Sequence, residues 1–576
     1  MISSQEKNNS HLRLIAIFFL LIATLIIGKL FVLQIFQYDY YRTLALNSHE
    51  IYKQLHPKRG EIFFQDTRNK TLFPAAINRQ YFLVYGVPKE IKPEMVSTTV
   101  DKLIQILSLE EDQRGLLNQR LSKPNDLYEP IAKKIDSDTY AKLKAEKLEG
   151  IYATEQSYRY YPERNLAAPI LGFCRLDDTG NEQIGNYGLE GYWNKILAGR
   201  KGFTIGERGA LGSLVALSNH SQVAAQDGAD LVLTIDRSLE YKACFLLQKG
   251  LEEFQAKGAS LVMMNPKTGA ILAMCSLPDF NPNDYADVKD VSQYNNTTIF
   301  TPYEPGSVFK SIAMSAGVDL GLVSPNTTFT DPCVRVFNGF EIHNAMNKCY
   351  GVQTMTQVLE NSINTGMMFV ADKLGNKRLS DYVKKYGFGQ KTGIELGPEA
   401  AGDVSSLDKK GQIYAAVGSF GQGLTATPIQ LAAAYSAIAN QGILPKPYII
   451  SEIRYADGKR EITTPKLSEP VISARTAKLL SSMLVSVVDN HYRAAKIPGY
   501  YVAAKSGTAQ IAERGKYSEE RTNHTFAGFA PATNPQFVLV VKYEEPERKW
   551  AEQSALPTFR NLLAFALQYY AVPNDR

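Results

Sequence analysis

Tyr303-Glu304-Pro305-Gly306-Ser307-Val308-Phe309-Lys310 is the stretch around which the chain is organised. Pro305 and Gly306 end whatever precedes them. Apolar residues then recur at helical spacing: Val308, Ile312, Ala316 and Val318, with Phe309 and Ala313 beside them. The spacing predicts a helix on which Ser307 and Lys310, three residues apart, share a face one turn from each other. A serine hydroxyl is a poor nucleophile until a neighbour removes its proton, and a partly desolvated lysine amine can do so. The free N–H groups of the first helical turn favour the negative charge that builds during acyl transfer. Serine-x-x-lysine also occurs at Ser4/Lys7 and Ser406/Lys409, in a polar tail and a polar loop, so the pair alone carries little weight.

Its company further along the chain changes that. Glu360-Asn361-Ser362-Ile363-Asn364-Thr365-Gly366 follows, and then Lys505-Ser506-Gly507-Thr508 on a segment that reads as a strand. Ser362 can relay a proton between Lys310 and a leaving amine, and Asn364 can hold a substrate amide. Lys505 with Thr508 can bind a terminal carboxylate, while Gly507 lets a substrate backbone approach closely. The backbone N–H groups of Ser307 and Thr508 can converge as an oxyanion hole. The expected catalytic set is Ser307, Lys310, Ser362, Asn364 and Lys505. Ser506, Gly507 and Thr508 are the expected substrate contacts, with no metal and no cofactor.

Three motifs in this order resemble those of the penicilloyl-serine transferases. The wider chain is similar to the class B penicillin-binding proteins, and more to the division-type FtsI branch than to the elongation-type branch. Supporting stretches are Pro57-Lys58-Arg59-Gly60-Glu61-Ile62, Arg159-Tyr160-Tyr161-Pro162, Gly188-Leu189-Glu190, Leu233-Thr234-Ile235-Asp236 and Gly421-Gln422-Gly423. The resemblance implies an α+β architecture. After an N-terminal transmembrane helix come a mixed α/β pedestal of the dimerisation type and a β-lactamase-like transpeptidase domain, its central antiparallel sheet flanked by helices. It implies D,D-transpeptidation of D-Ala-D-Ala stem peptides through a Ser307 acyl-enzyme, resolved by an amine of a neighbouring stem. It further implies covalent inhibition by β-lactams and a membrane glycosyltransferase partner of the FtsW/RodA type. One departure is local: where the family continues after Arg-Gly with an Asp-Arg-Asn-Gly-like segment, this chain reads Phe64-Gln65-Asp66-Thr67-Arg68-Asn69-Lys70.

The remaining sequence sets the frame. With 576 residues there is room for two or three domains, and 63 basic against 58 acidic residues (+5) is too mild a balance to argue for nucleic acid. Leu14 to Gly28 is an apolar run that continues from Leu30 to Phe36 past Lys29. It approaches the ~20 residues a membrane-spanning helix needs. No small-x-small cleavage site follows, which favours an uncleaved anchor over a signal peptide. The expected division is a cytoplasmic tail (1–11), a single plasma-membrane anchor (12–36), a non-catalytic pedestal (45–225) and an extracytoplasmic catalytic domain (228–576). Asp230 to Asp236 reads as a strand ending at a helix cap, and Ala259–Asn265 with Ala270–Cys275 as a hairpin. Helices are expected to dominate up to Asn490, with strands returning from Tyr501. That order predicts an antiparallel sheet covered by helices.

Five cysteines (174, 244, 275, 333 and 349) lie in a region expected to permit disulfides. Cys333 and Cys349 can bridge, or with His343 hold a metal in an unusual spacing; buried free thiols are otherwise the default. His524 reads as structural. A carboxypeptidase or β-lactamase would use the same triad, and a β-lactam sensor or scaffold would keep the fold. The intact motifs, the anchor and the long non-catalytic region favour the transpeptidase.

Overall fold

Asp236 ends a strand and starts a helix by one piece of chemistry: its carboxylate accepts the backbone N–H groups of Ser238 and Leu239, two of the donors that a helix N-terminus leaves unpaired. The computed structural model describes residues 20–22, 24, 26–31, 50–177, 182–207, 221–337, 339–513 and 516–576. Two units emerge, one of Met1–Lys58 with Gly199–Asp227, the other of Arg59–Ala198 with Gly228–Arg576. In the first, Glu50–Leu55, Gly202–Glu207 and Ser221–Val223 form an antiparallel sheet. The expected tail (1–11) and most of the expected anchor (12–36) lie outside the described residues. Among those described, no helix is long and apolar enough to cross a membrane.

The second unit holds the chemistry. Its elements in chain order begin with β1 (Ile62–Gln65), β2 (Leu72–Gly86), α1 (Val96–Leu107), β3 (Glu129–Ile135) and β4 (Ile151–Tyr160). There follow β5 (Asp230–Asp236), α2 (Arg237–Glu253), β6 (Gly258–Met264), β7 (Ile271–Leu277), α3 (Lys310–Asp319), α4 (Asn364–Lys385) and α5 (Pro428–Ala439). Last come β8 (Ile450–Arg454), β9 (Arg460–Ile462), α6 (Ala474–Asn490), β10 (Ala503–Glu513), β11 (Lys516–Ala530), β12 (Phe537–Glu544) and α7 (Ala555–Tyr569).

A seven-stranded sheet runs β9-β8-β5-β1-β2-β3, with β4 also paired to β2. Within it β5 runs parallel to β1, which the long crossover through β2, α1, β3 and β4 between them permits. A five-stranded antiparallel sheet runs β7-β6-β12-β11-β10. All residues of β6 and β7 are buried, so these strands show no apolar/polar alternation and carry only Ser260 and Ser276 among their otherwise apolar residues. Tyr543 on β12 reaches Leu247 of α2 and Thr558 of α7, which places both helices on one face. The region before Asn490 is not purely helical. Short two-stranded ladders interrupt it, among them Val334–Phe337 with Phe340–His343.

A buried ion cluster ties the segment before β1 to the end of β4. Glu190 accepts from Arg59 Nε (2.8 Å) and Nη2 (2.5 Å) and from Arg159 Nε (2.6 Å). Burial pushes the Glu190 carboxyl up, but Arg159 and Arg59 together outweigh it and hold it at about 2.

The cysteines correct one expectation. Cys333 and Cys349 are bridged, so the alternative metal set with His343 loses its thiolates. Cys244 and Cys275, expected as free thiols, are bridged as well, joining α2 to β7. Thirty-one residues of sequence separate them, and only the packing of α2 on β7 brings them together. Cys174 is free and sits 3.1 Å from Glu190 Oε2.

Candidate active site

Ser307 is not on the first turn of an α-helix as its spacing predicted. It lies in a 3-10 turn, Gly306–Phe309, and Lys310 opens α3 behind it. Gly306 has φ +60 and donates its N–H to Gly421 O, and Gly421 (φ +79) approaches so closely that a Cβ there would fall 2.2 Å from Gly306 O. That contact requires glycine at 421, while glycine at 306 is favoured by its positive φ and by Ala509, whose Cβ would lie 2.9 Å from a Cβ there. The expected apolar stripe also differs: every residue from Lys310 to Val318 is buried, because α3 is a central helix packed on all sides.

Lys310 is fully buried, and its Nζ donates to Ser362 O (2.6 Å), Ser362 Oγ (3.1 Å) and Asn364 Oδ1 (2.8 Å). Burial, then the charge of Lys505, pushes the Lys310 ammonium well below its ordinary value. The amine is thereby suited to accept a proton. Ser362 sits at φ +54, a strained conformation for a residue with a side chain. Asn364 is engaged at both ends, since its Nδ2 donates to His343 O (2.9 Å) while Oδ1 accepts from Lys310. Holding a substrate amide therefore requires an exchange of partners at Asn364.

Lys505 lies on edge strand β10, fully buried, donating to Tyr492 OH (2.9 Å) and Ser506 O (3.0 Å). Burial pushes it down to about 8, partly opposed by Glu552. Ser506 Oγ bonds Tyr492 OH (2.7 Å) and Glu552 Oε1 (2.8 Å), and Thr508 Oγ1 accepts the Ala551 N–H (3.1 Å). Gly507 is where β10 meets the serine turn: a Cβ there would fall 2.8 Å from Pro305 O and 3.2 Å from Val308 N. All eight expected residues thus lie on three segments that this packing gathers: the serine turn with α3, the turn that leads into α4 together with its first residue, and β10.

Several supporting groups escaped sequence reasoning. Asp331 accepts from Thr365 Oγ1 (2.6 Å), Asn344 Nδ2 (2.9 Å) and the N–H groups of Cys333 and Tyr350 (2.9 Å each). Asn344 Oδ1 in turn accepts the Thr365 N–H (3.0 Å), so the disulfide-closed loop anchors the start of α4. The possible Cys333–Cys349 bridge was the one signal pointing there. Tyr492 and Glu552 had none. His524 is buried between Ser554 (2.8 Å) and Thr522 (3.0 Å), and burial pushes it down to about 4.

Comparison with known proteins agrees with this geometry. The family model described as the penicillin binding protein transpeptidase domain matches residues 259–564, and that for the penicillin-binding protein dimerisation domain matches 54–233. The chain belongs to the penicillin-binding proteins. Among its relatives is stage V sporulation protein D of Bacillus subtilis, 34% identical over 502 residues, covering 85% of this chain and 75% of that protein. Peptidoglycan D,D-transpeptidase FtsI of Escherichia coli is 28% identical, covering 91% and 85% respectively. Penicillin-binding protein 3 of Mycobacterium tuberculosis, solved with aztreonam, superposes with a TM-score of 0.69 at 27% identity over 91% of this chain and 98% of that one. This penicillin-binding protein thus pairs a dimerisation domain with a transpeptidase domain.

Proposed function

We propose that this protein is a peptidoglycan D,D-transpeptidase that cross-links stem peptides through an acyl-enzyme on Ser307 and is inhibited by β-lactams. The observation that carries the reading is Lys310, a fully buried amine held by Ser362 and Asn364 one turn behind the serine. Neutral Lys310 takes the Ser307 proton as Oγ attacks the carbonyl of the penultimate D-Ala. Backbone N–H groups of Ser307 and Thr508 stabilise the oxyanion, and Lys505, Ser506 and Thr508 hold the terminal carboxylate. The intermediate collapses, the C–N bond breaks, and Ser362 relays the proton to the departing D-Ala amine. An amine of a second stem then attacks the ester and returns Ser307 to its hydroxyl form. With a β-lactam the leaving nitrogen stays tethered, so the ester persists. No cofactor enters these steps.

The role extends to the plasma membrane, with residues 1–11 inside, 12–36 spanning once, and the pedestal (45–225) and catalytic region (228–576) outside. Exposed Leu20, Leu21, Ile26, Ile27 and Leu30 on a helical stretch support it. An FtsW/RodA-type glycosyltransferase is the partner this placement suits, in septal or lateral wall synthesis. The test is intact mass after incubation with a penicillin, beside Ser307→Ala. A stable adduct on the parent alone is expected. No adduct on a folded parent overturns the reading, and rapid loss of the adduct makes the protein a hydrolase.

A further inference from the structure

Among the described residues, the lysines buried from solvent are Lys310, Lys505 and Lys542. The first two belong to the catalytic motifs. Lys542 belongs to none, and it is buried near the C-terminal end of β12, where holding an ammonium away from water is costly unless something pairs with it. Cross-strand register shows what it sits beside. Gly507 on β10 pairs with Thr525 on β11, Thr525 pairs with Lys542 on β12, and Lys542 pairs with Ser260 on β6. Paired residues point to the same side of a sheet, so Lys542 stands in the row that Gly507 begins, two strands or about 10 Å inward from the strand of Lys505.

Tyr303 lies over that row. Its ring centroid is 4.2 Å from Lys542 Nζ, and its hydroxyl bonds Thr525 Oγ1 (2.8 Å). Its backbone exchanges both hydrogen bonds with Ala426. Four residues later the chain reaches Ser307, through Pro305 and a Gly306 that is itself tied to Gly421. The other charged group on Lys542 is Glu544, whose Oε1 accepts from Nζ at 2.5 Å. Ser260 Oγ, on the far side of the row, is buried with no hydrogen-bond partner among the described residues. A desolvated cation over an aromatic face contributes more than an exposed one, so Tyr303 is seated by its ring as well as by its hydroxyl.

We propose that Lys542 is a positioning residue for acyl transfer: its ammonium seats the Tyr303 ring and thereby sets where the 305–307 turn presents Ser307 to β10. Lys542 touches no reacting atom and acts through Tyr303. The inference rests on Ser307 as nucleophile. Burial alone pushes the ammonium down, with Glu544 opposing, so a lysine kept here without a role is a cost that an apolar side chain of similar length would remove.

The experiment measures penicillin acylation of the purified protein by stopped flow, separating the initial dissociation constant from the first-order acylation constant, beside thermal melts. Lys542→Met is expected to melt no lower than the parent yet acylate about tenfold more slowly, with the dissociation constant unchanged. A Tyr303→Leu/Lys542→Met double variant is expected to be no slower than Tyr303→Leu alone. Tyr303→Phe against Tyr303→Leu supplies the same reading if Lys542→Met does not fold, because phenylalanine keeps the face over Nζ and leucine does not. Phenylalanine is expected to acylate faster than leucine. Parent-like acylation by Lys542→Met, or equal constants for the Phe and Leu variants, overturns the inference while the Ser307 adduct of the parent keeps the proposed function intact. A parent that forms no adduct fails the proposed function instead.

Discussion

Burial pushes the Lys505 ammonium down to about 8, and the sign of its effect on activity follows. The charge is present below that pH and lost as pH rises through it. The initial dissociation constant of a penicillin should therefore rise above pH 8, by up to about tenfold per pH unit, as its carboxylate loses its partner. Parent-like binding at pH 9.5 would show that Lys505 does not hold the carboxylate. Glu240 carries a second consequence, on stability. Its fully buried carboxyl is pushed up to about 8 from 4.5, opposed only by the hydrogen bond from the Met274 N–H (2.7 Å). The folded protein keeps a proton that the unfolded chain releases above 4.5, so stability falls as pH rises from about 4.5 to about 8. Glu240→Gln keeps the acceptor for Met274 and removes the ionisation. It should stabilise the protein at pH 7.5 by about 4 kcal/mol and flatten the dependence between pH 5 and 8. Denaturant melts at several pH values check both.

At the scale of elements, the Cys333–Cys349 loop is the part of the site whose order is separately adjustable. It holds Asp331 two residues before one cysteine and Asn344 inside the ring, and both bond Thr365 at the start of α4. Closing a loop of this length removes about 3 kcal/mol of unfolded-state entropy. In Cys333→Ser/Cys349→Ser, hydrogen exchange over residues 328–354 should accelerate. Acylation should slow several-fold, because Asn364 and Ser362 lose their support. Unchanged exchange would mean that the Asp331 hydrogen bonds suffice without the bridge. These residues were legible only in part. The Ser-x-Asn motif marks α4, while Asp331 and Asn344 look like ordinary loop polar residues until the fold brings them to it.

For the whole molecule, the shared sheet is decisive. Strand β5 follows Gly228 in the sequence but pairs with β1 from the N-terminal half and with β8 from far downstream. A chain cut to residues 228–576 would leave that edge of β5 bare, and an unpaired central strand is an aggregation site. We expect the truncated protein to lack a cooperative melt, whereas the intact one unfolds the two halves of this unit in a single transition. A folded, penicillin-reactive 228–576 fragment would show that β1 is dispensable. The buried Arg59–Glu190–Arg159 cluster makes the same point: Glu190→Ala should cost about 3–5 kcal/mol by stranding two buried guanidinium groups.

The chemistry was written in the sequence. Serine-x-x-lysine, serine-x-asparagine and lysine-serine-glycine-threonine are local patterns, and the hairpin of β6 and β7 and the Asp236 cap are local as well, so short-range spacing is enough to find them. What only the tertiary structure decided is non-local. It sets the 3-10 turn at Ser307, which exists because Gly421 lies against Gly306, and the Cys244–Cys275 bridge. It also sets the row from Gly507 to Lys542 and the pairing of β5 with β1. Each depends on contacts between residues far apart in the chain, and these are chosen by packing and register rather than by any pattern a single segment carries.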